Sequence, residues 1–173
     1  MLNLLKVSDD RFEIVFNKMT DAFPYEERRS PLAQKKCMGD ERFHFLEILD
    51  DTVPVGFIAL WDFSDYIYIE HLAIDSDKRS GGYGSKTLNE IKNMYDKKII
   101  LEAEAPETEQ QKKRINFYNK AGFKVNNYDY EQPSYHGGDG VPLMILSYPD
   151  FITEEEFEKF VSETKNSVYT YCD

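Results

Sequence analysis

The sequence predicts a mixed α/β fold, a single domain built on a mostly antiparallel mixed sheet flanked by helices. Three observations lead there. Two β-rich runs, "RFHFLEILD" and "VPVGFIALWDF", are joined by a short Asp-Asp-Thr turn and read as a hairpin. Helical and strand-like segments alternate in the later half, which requires crossovers as well as hairpins. At 173 residues the chain supplies one substantial core and too little for two.

Taken in order, "LNLLKV" is a short first strand. From Asp10 to about Phe23, apolar Phe12, Ile14, Val15, Phe16, Met19 and Phe23 follow a helical period, with Ser8 or Asp9 as cap. Pro24 interrupts, and "YEERRSPLAQKKCMG" is a second, more polar helical segment in which Pro31 opens or kinks the later part. The hairpin follows, then a third strand, "YIYIEHLAID". A glycine-rich turn leads into a helix ending near Met94 and into the strand "KIILEAEA". "TEQQKKRINFYNKAGF" begins with a capping-box pattern, Thr108 to Gln111, and stops at Gly122, the expected C-cap glycine. "FKVNNYDYE" and "VPLMILSYP" are two further strands, separated by the loop "QPSYHGGDGVP". A capped amphipathic helix over 152–170, opened by Thr153 and Glu156, packs on the rest. The expected order is β-α-α-β-β-β-α-β-α-β-β-α.

Composition excludes several classes. Net charge is −11, from 32 acidic and 21 basic residues, which opposes binding to nucleic acid or to an anionic membrane. Cys37 and Cys172 are far apart without ligand spacing, and His44, His71 and His136 fit no metal motif, so no metal is expected. No window holds the roughly 18 apolar residues of a membrane span, and the start lacks a signal-peptide pattern. A cytoplasmic protein in a reducing compartment is expected.

The stretch "HLAIDSDKRSGGYGSKTL" carries the chemistry. A strand, a turn of successive free backbone N–H groups and a helix N-terminus together favour an anion such as phosphate. Glycine lets the backbone approach closely and adopt positive φ. Neither the Walker spacing nor the dinucleotide fingerprint is present. What fits is Arg/Gln-x-x-Gly-x-Gly/Ala, filled by Arg79, Gly82 and Gly84. About thirty residues on, "RINFYNKAGFKV" presents Asn116, Phe117, Tyr118, Gly122 and Phe123. With both motifs the chain resembles the GNAT superfamily of acyl-CoA-dependent N-acetyltransferases along nearly its whole length. "FPYEERR", "IEHLAI", "LEAEAP" and "YEQPSYHGG" are similar to a bacterial group within it.

The resemblance implies acetyl-CoA as cofactor and no metal. Its pyrophosphate is expected on the turn Arg79, Ser80, Gly81, Gly82, Tyr83 and Gly84, with Ser85 opening the helix. The pantetheine arm is expected as an added strand beside Leu72, Ala73 and Ile74, with the Leu72 N–H polarising the thioester carbonyl. Asn116 matches a position that bonds to the cofactor arm, and Tyr118 one that returns a proton to the thiolate. A carboxylate facing the cleft is needed to draw the amine and take its proton. Glu70 is the first candidate: in a regular strand it shares a face with Tyr66, Tyr68 and Leu72, and His71 points the other way. The competing reading makes it a surface carboxylate or the partner of a nearby arginine. Glu102 and Glu104 are the reserves.

The acceptor pocket is expected between Phe23–Arg29 and the loop around Tyr135 and His136. There Arg28 and Arg29 suit a substrate carboxylate and Glu26 and Glu27 an amine, against the plainer reading of a solvated helix face. The leading expectation is transfer of acetyl from acetyl-CoA to a primary amine of a small molecule. The alternatives are a peptide or protein N-terminal or lysine acetyltransferase and a non-catalytic acyl-CoA sensor. The chain is expected as monomer or homodimer.

Overall fold

Alternating apolar residues place strands across a sheet that is covered on both faces. In the computed structural model, which describes residues 1–172, seven strands run in the order β1-β2-β3-β4-β5-β9-β6. These are β1 (Leu2–Lys6), β2 (Phe43–Asp50), β3 (Val53–Asp62), β4 (Tyr66–Ile74), β5 (Lys98–Ala103), β6 (Lys124–Val125) and β9 (Met144–Tyr148). Only β4 and β5 pair in parallel; every other neighbour is antiparallel. The two late runs predicted as single strands are each divided. A small separate pair, β7 (Glu131–Gln132) with β8 (Val141–Pro142), takes a piece of each. Pro142 and the glycines of the loop disfavour continuous pairing there.

Helices α1 (Asp9–Ala22), α2 (Pro31–Cys37) and α5 (Glu154–Ser167) lie on one face, where Phe12, Met19, Phe45, Trp61, Tyr68 and Phe160 share a core. Helices α3 (Tyr83–Met94) and α4 (Glu109–Lys120) cover the other, where Ile58, Ile69, Leu88, Ile91 and Ile115 meet. The caps form as the sequence predicts. Thr108 with Gln111, and Thr153 with Glu156, are both reciprocal capping boxes, and Gly122 closes α4 with φ of 89°. Ser30 accepts from the Ala33 N–H and Pro31 opens α2, so the kink alternative does not arise. The preceding residues Tyr25–Glu27 form only a 3-10 turn, and thus the second helix is shorter than expected. Among the described residues no helix is long and apolar enough to cross a membrane.

Candidate active site

Strand β4 is the element on which the site turns. Against β3, Ile69 stands opposite Leu60 and His71 opposite Ala59, so Glu70 is an extra residue, a β-bulge. A bulge reverses the side-chain alternation beyond it. Tyr66, Tyr68 and Ala73 belong to the α1 face, whereas Leu72 and Ile74 pack with the α3 face. Glu70 and His71 both reach α1-face partners, Trp61 for the first and Phe23 for the second. This corrects the expected parity: Leu72 does not share a face with Glu70, and His71 does.

The bulge lies where β4 leaves β5. Their pairing stops at Ile69 opposite Leu101, so Glu70–Ile74 keep β3 on one side and no strand on the other among the described residues. The Glu70 side chain is fully enclosed although the residue is partly exposed; what it presents outward is backbone. Leu72, Ala73 and Ile74 are partly exposed along the same edge.

Beneath this edge Glu70 is already committed. Its Oε1 receives Arg29 Nη1 at 2.7 Å and the Tyr135 hydroxyl at 2.6 Å, and its Oε2 accepts from Trp61 Nε1 at 2.9 Å. Burial works to raise the Glu70 carboxyl, but the charge of Arg29 and these donors bring it below the usual carboxylate value. Burial likewise opposes the charge of Arg29, and Glu70, together with Tyr135 and Cys37, more than offsets it. Arg29 is therefore not a surface cation for a substrate carboxylate. Fully buried, it spends its other amino group on the Val168 carbonyl at 2.8 Å. Of the two readings of Glu70, partner of a nearby arginine is the one the geometry matches. Arg28 donates Nε to the Phe23 carbonyl at 3.2 Å and lies 5.6 Å from the Phe16 ring centre, while Glu26 is exposed.

On β5, Glu102 accepts from Tyr68 at 2.7 Å, from Gln132 at 2.6 Å and from the Tyr130 hydroxyl. Burial pushes its carboxyl up to about 7 despite these donors. Glu104, just after β5, accepts from Arg114 Nη1 of α4 at 2.8 Å. The half-buried Glu27 carboxyl is raised by burial and then by the charge of Glu104.

The two acceptor segments do come together. His136 stacks on Tyr25 with ring centres 3.8 Å apart and donates Nε2 to the carbonyls of Tyr25 and Arg28, both at 2.9 Å. Tyr135 is buried beneath, on Glu70. Sequence reasoning missed Trp61, Tyr68, Tyr130 and Gln132 as neighbours of the two carboxylates. The only signal for the two tyrosines was the abundance of that residue, which does not say which phenol meets which acid, and Trp61 and Gln132 gave none.

The glycine turn departs from regular structure as anticipated. Ser80 and Gly82 have φ of 72° and 74°, and α3 opens at Gly82 without a side-chain cap. A Cβ on Gly82 would meet nothing within 4 Å. The turn thus offers open space before uncapped helix amides, an arrangement that fits a phosphate group. Arg79 is exposed and donates Nε to the Ile74 carbonyl at 3.3 Å; Ser85 and Asn116 are exposed, and Tyr83 donates to Asp50 at 2.9 Å. The Tyr118 hydroxyl has no hydrogen-bond partner among the described residues, and burial pushes it up to about 12. Among those residues no group of three or more His, Cys, Asp or Glu is placed to hold a metal ion.

Comparisons with known proteins bear on the family and the fold. A Bacillus subtilis (strain 168) protein named "Putative acetyltransferase YjbC" is 26% identical over 162 residues, covering 91% of this chain and 82% of its own. A solved structure described as "Putative acetyltransferase from GNAT family from Bacteroides thetaiotaomicron" superposes with a TM-score of 0.86 at 34% identity, covering 98% of each chain. Arabidopsis thaliana Naa50, solved with the bisubstrate analogue CoA-Ac-MVNAL, shares the fold with a TM-score of 0.65 at 21% identity, over 87% of this chain and 99% of that one. Residues 12–123 match the model of the acetyltransferase (GNAT) family, and the chain belongs to that family.

Proposed function

We propose that the protein transfers an acetyl group from acetyl-CoA to a primary amine of a small molecule, by direct attack of the amine on the thioester. The observation that carries this reading is the unpaired edge of Glu70–Ile74 ending in an uncapped, glycine-lined helix start. An extended pantetheine arm fits that edge at Leu72, Ala73 and Ile74, and its pyrophosphate fits the turn from Arg79 to Gly84 and Ser85. Asn116 is the side chain we assign to the arm. The Leu72 N–H is assigned to the developing oxyanion, where a preorganised donor is worth a factor of about 10²–10³ in rate. Tyr118 is assigned as the proton donor to the leaving sulfur.

Glu70, paired with Arg29, is assigned to holding the bulge rather than to taking a proton. Glu102 has donors on both oxygens. Glu27, partly exposed, is suited to drawing in a cationic acceptor, with Glu104, which holds Arg114 through one oxygen, beside it. The clasp of His136 over Tyr25 and Arg28 favours a small amine over an extended peptide, because it ties together the two segments between which a peptide would lie.

Calorimetric titration with acetyl-CoA, using ATP and NAD as controls, tests the reading. Binding of acetyl-CoA alone, followed by thiol release with members of a primary-amine panel, is the expected result. Absence of binding to both acetyl-CoA and free CoA overturns it and returns the glycines to a structural turn.

A further inference from the structure

We propose that His71 takes the proton from the attacking amine, through Nδ1. The inference rests on the transferase reading above and names the base that reading leaves open.

The argument begins with the imidazole's other nitrogen. His71 Nε2 lies 2.8 Å from the backbone carbonyl of Glu27. A carbonyl oxygen only accepts, so Nε2 carries the proton and Nδ1 is left with a lone pair. That Nδ1 is buried and, among the described residues, has no hydrogen-bond partner. His71 as a whole is 4% exposed. A buried acceptor without a donor is destabilising and uncommon in folded proteins. Here the lone pair sits on the residue directly before Leu72, whose N–H is assigned to the thioester oxygen.

The acids around it are less suited. Glu70 holds Arg29, Tyr135 and Trp61; Glu102 holds Tyr68, Tyr130 and Gln132. The groups facing His71 are Glu70 on its own strand, Arg28 and Arg29 from the segment before α2, and Tyr135 from the late loop, whose ring centre is 6.3 Å away. Burial, helped by the charges of Arg29 and Arg28, lowers the imidazole below its ordinary value against the opposing pull of Glu70 and the Glu27 carbonyl, which favours the neutral ring with its lone pair on Nδ1. The bulge is what makes this possible: in a regular strand His71 would face away from Phe23, Tyr135 and the acceptor segments.

The step balances as follows. The amine nitrogen bonds to the acetyl carbon and the carbon–sulfur bond breaks. The proton leaving nitrogen goes to His71 Nδ1 and then to solvent, and the sulfur takes one from Tyr118, which is reprotonated from solvent.

The test uses the full chain and the variant His71→Gln. The glutamine amide still donates to the Glu27 carbonyl but offers no base at Nδ1. With ¹⁵N-labelled histidine and saturating acetyl-CoA, NMR is expected to show His71 Nδ1 unprotonated at pH 7, its signals assigned by their loss in the variant. His71→Gln is expected to bind acetyl-CoA with the wild-type affinity, lose about 100-fold or more in kcat for thiol release with the amine panel, and lose the acidic limb of the pH–rate profile. A protonated Nδ1 overturns the proposal, as does a variant within threefold of wild-type kcat. Wild-type protein that binds acetyl-CoA but releases no thiol with any panel amine also overturns it. Failure to bind acetyl-CoA at all is instead the failure of the transferase reading. If His71→Gln does not fold, the Nδ1 protonation state of the wild type decides.

Discussion

Gly84, just after the glycine turn, packs against Phe117, the neighbour of Tyr118: a Cβ on Gly84 would stand 3.1 Å from Phe117 Cζ and 3.4 Å from its Cε2. The glycine therefore governs how closely α3 approaches α4, and through Phe117 where Tyr118 is held. Gly84→Val is expected to lower stability by about 1–3 kcal/mol through overpacking and to weaken acetyl-CoA binding and turnover together. Adding Phe117→Leu relieves the contact, so urea denaturation of the double-mutant cycle should give a favourable coupling of about 0.5–3 kcal/mol. Strict additivity would mean that the ring and the glycine are independent.

Gly82 has a different reason to be glycine. Nothing lies within 4 Å of its Cβ position, but its φ is +74°. Gly82→Ala is expected to cost about 1–2 kcal/mol from the left-handed backbone alone, and Gly82→Asn less, because asparagine tolerates that region. Both side chains enter the space before the helix amides, so calorimetry should find acetyl-CoA binding weakened in both, beyond what stability explains.

These two glycines also mark how far the sequence is legible. The strand–turn–helix and both capping boxes could be read because glycine, threonine, glutamine and glutamate act locally, within a few residues of where they stand. Glu70 could be placed on its strand but not on its face. The bulge depends on how β4 registers against β3, and nothing in "YIYIEHLAI" announces one. The Arg29–Glu70 pair joins positions 41 apart, and "EERR" alone does not say which arginine turns inward. His71 was set aside by a parity argument that holds only for a regular strand.

Removing one member of the enclosed Arg29–Glu70 pair strands the other. Arg29→Met is expected to cost about 3–5 kcal/mol, and Arg29→Met with Glu70→Leu to recover most of it. The pH dependence has a definite sign. Glu70 titrates below its ordinary 4.5 in the folded protein, so its contribution is present above that value and lost as pH falls through the folded pKa. Glu70→Gln should therefore flatten the acid limb of stability in denaturation curves taken at successive pH values. An unchanged limb would show that other carboxylates set it.

Glu102 has the opposite sign. Its folded value is raised from 4.5 to about 7, so the stability it lends is complete below 4.5 and is lost as pH rises through 7. The difference corresponds to at most about 3 kcal/mol. Glu102→Gln is expected to remove this slope, leaving the variant closest to, or above, wild type at pH 8 and relatively weakest at pH 4. A wild-type profile flat from pH 5 to 8 would contradict the raised value.

Tyr118→Phe tests the proposed proton donor. The phenol is pushed up to about 12, whereas a free thiol titrates near 8.5, so transfer to the thiolate runs uphill and the thiolate is already a fair leaving group. The loss on removing the hydroxyl should accordingly fall at the low end of general-acid effects, about 10²-fold in kcat, with acetyl-CoA affinity unchanged because the hydroxyl has no partner to lose among the described residues. Acyl donors with a less stable thiolate should be hit harder. Comparing acetyl-CoA with an acetyl thioester of lower thiol pKa in both proteins measures this directly. A loss that does not vary with the leaving group would place Tyr118 in packing, on Phe117 and Phe123, rather than in the transfer of the proton.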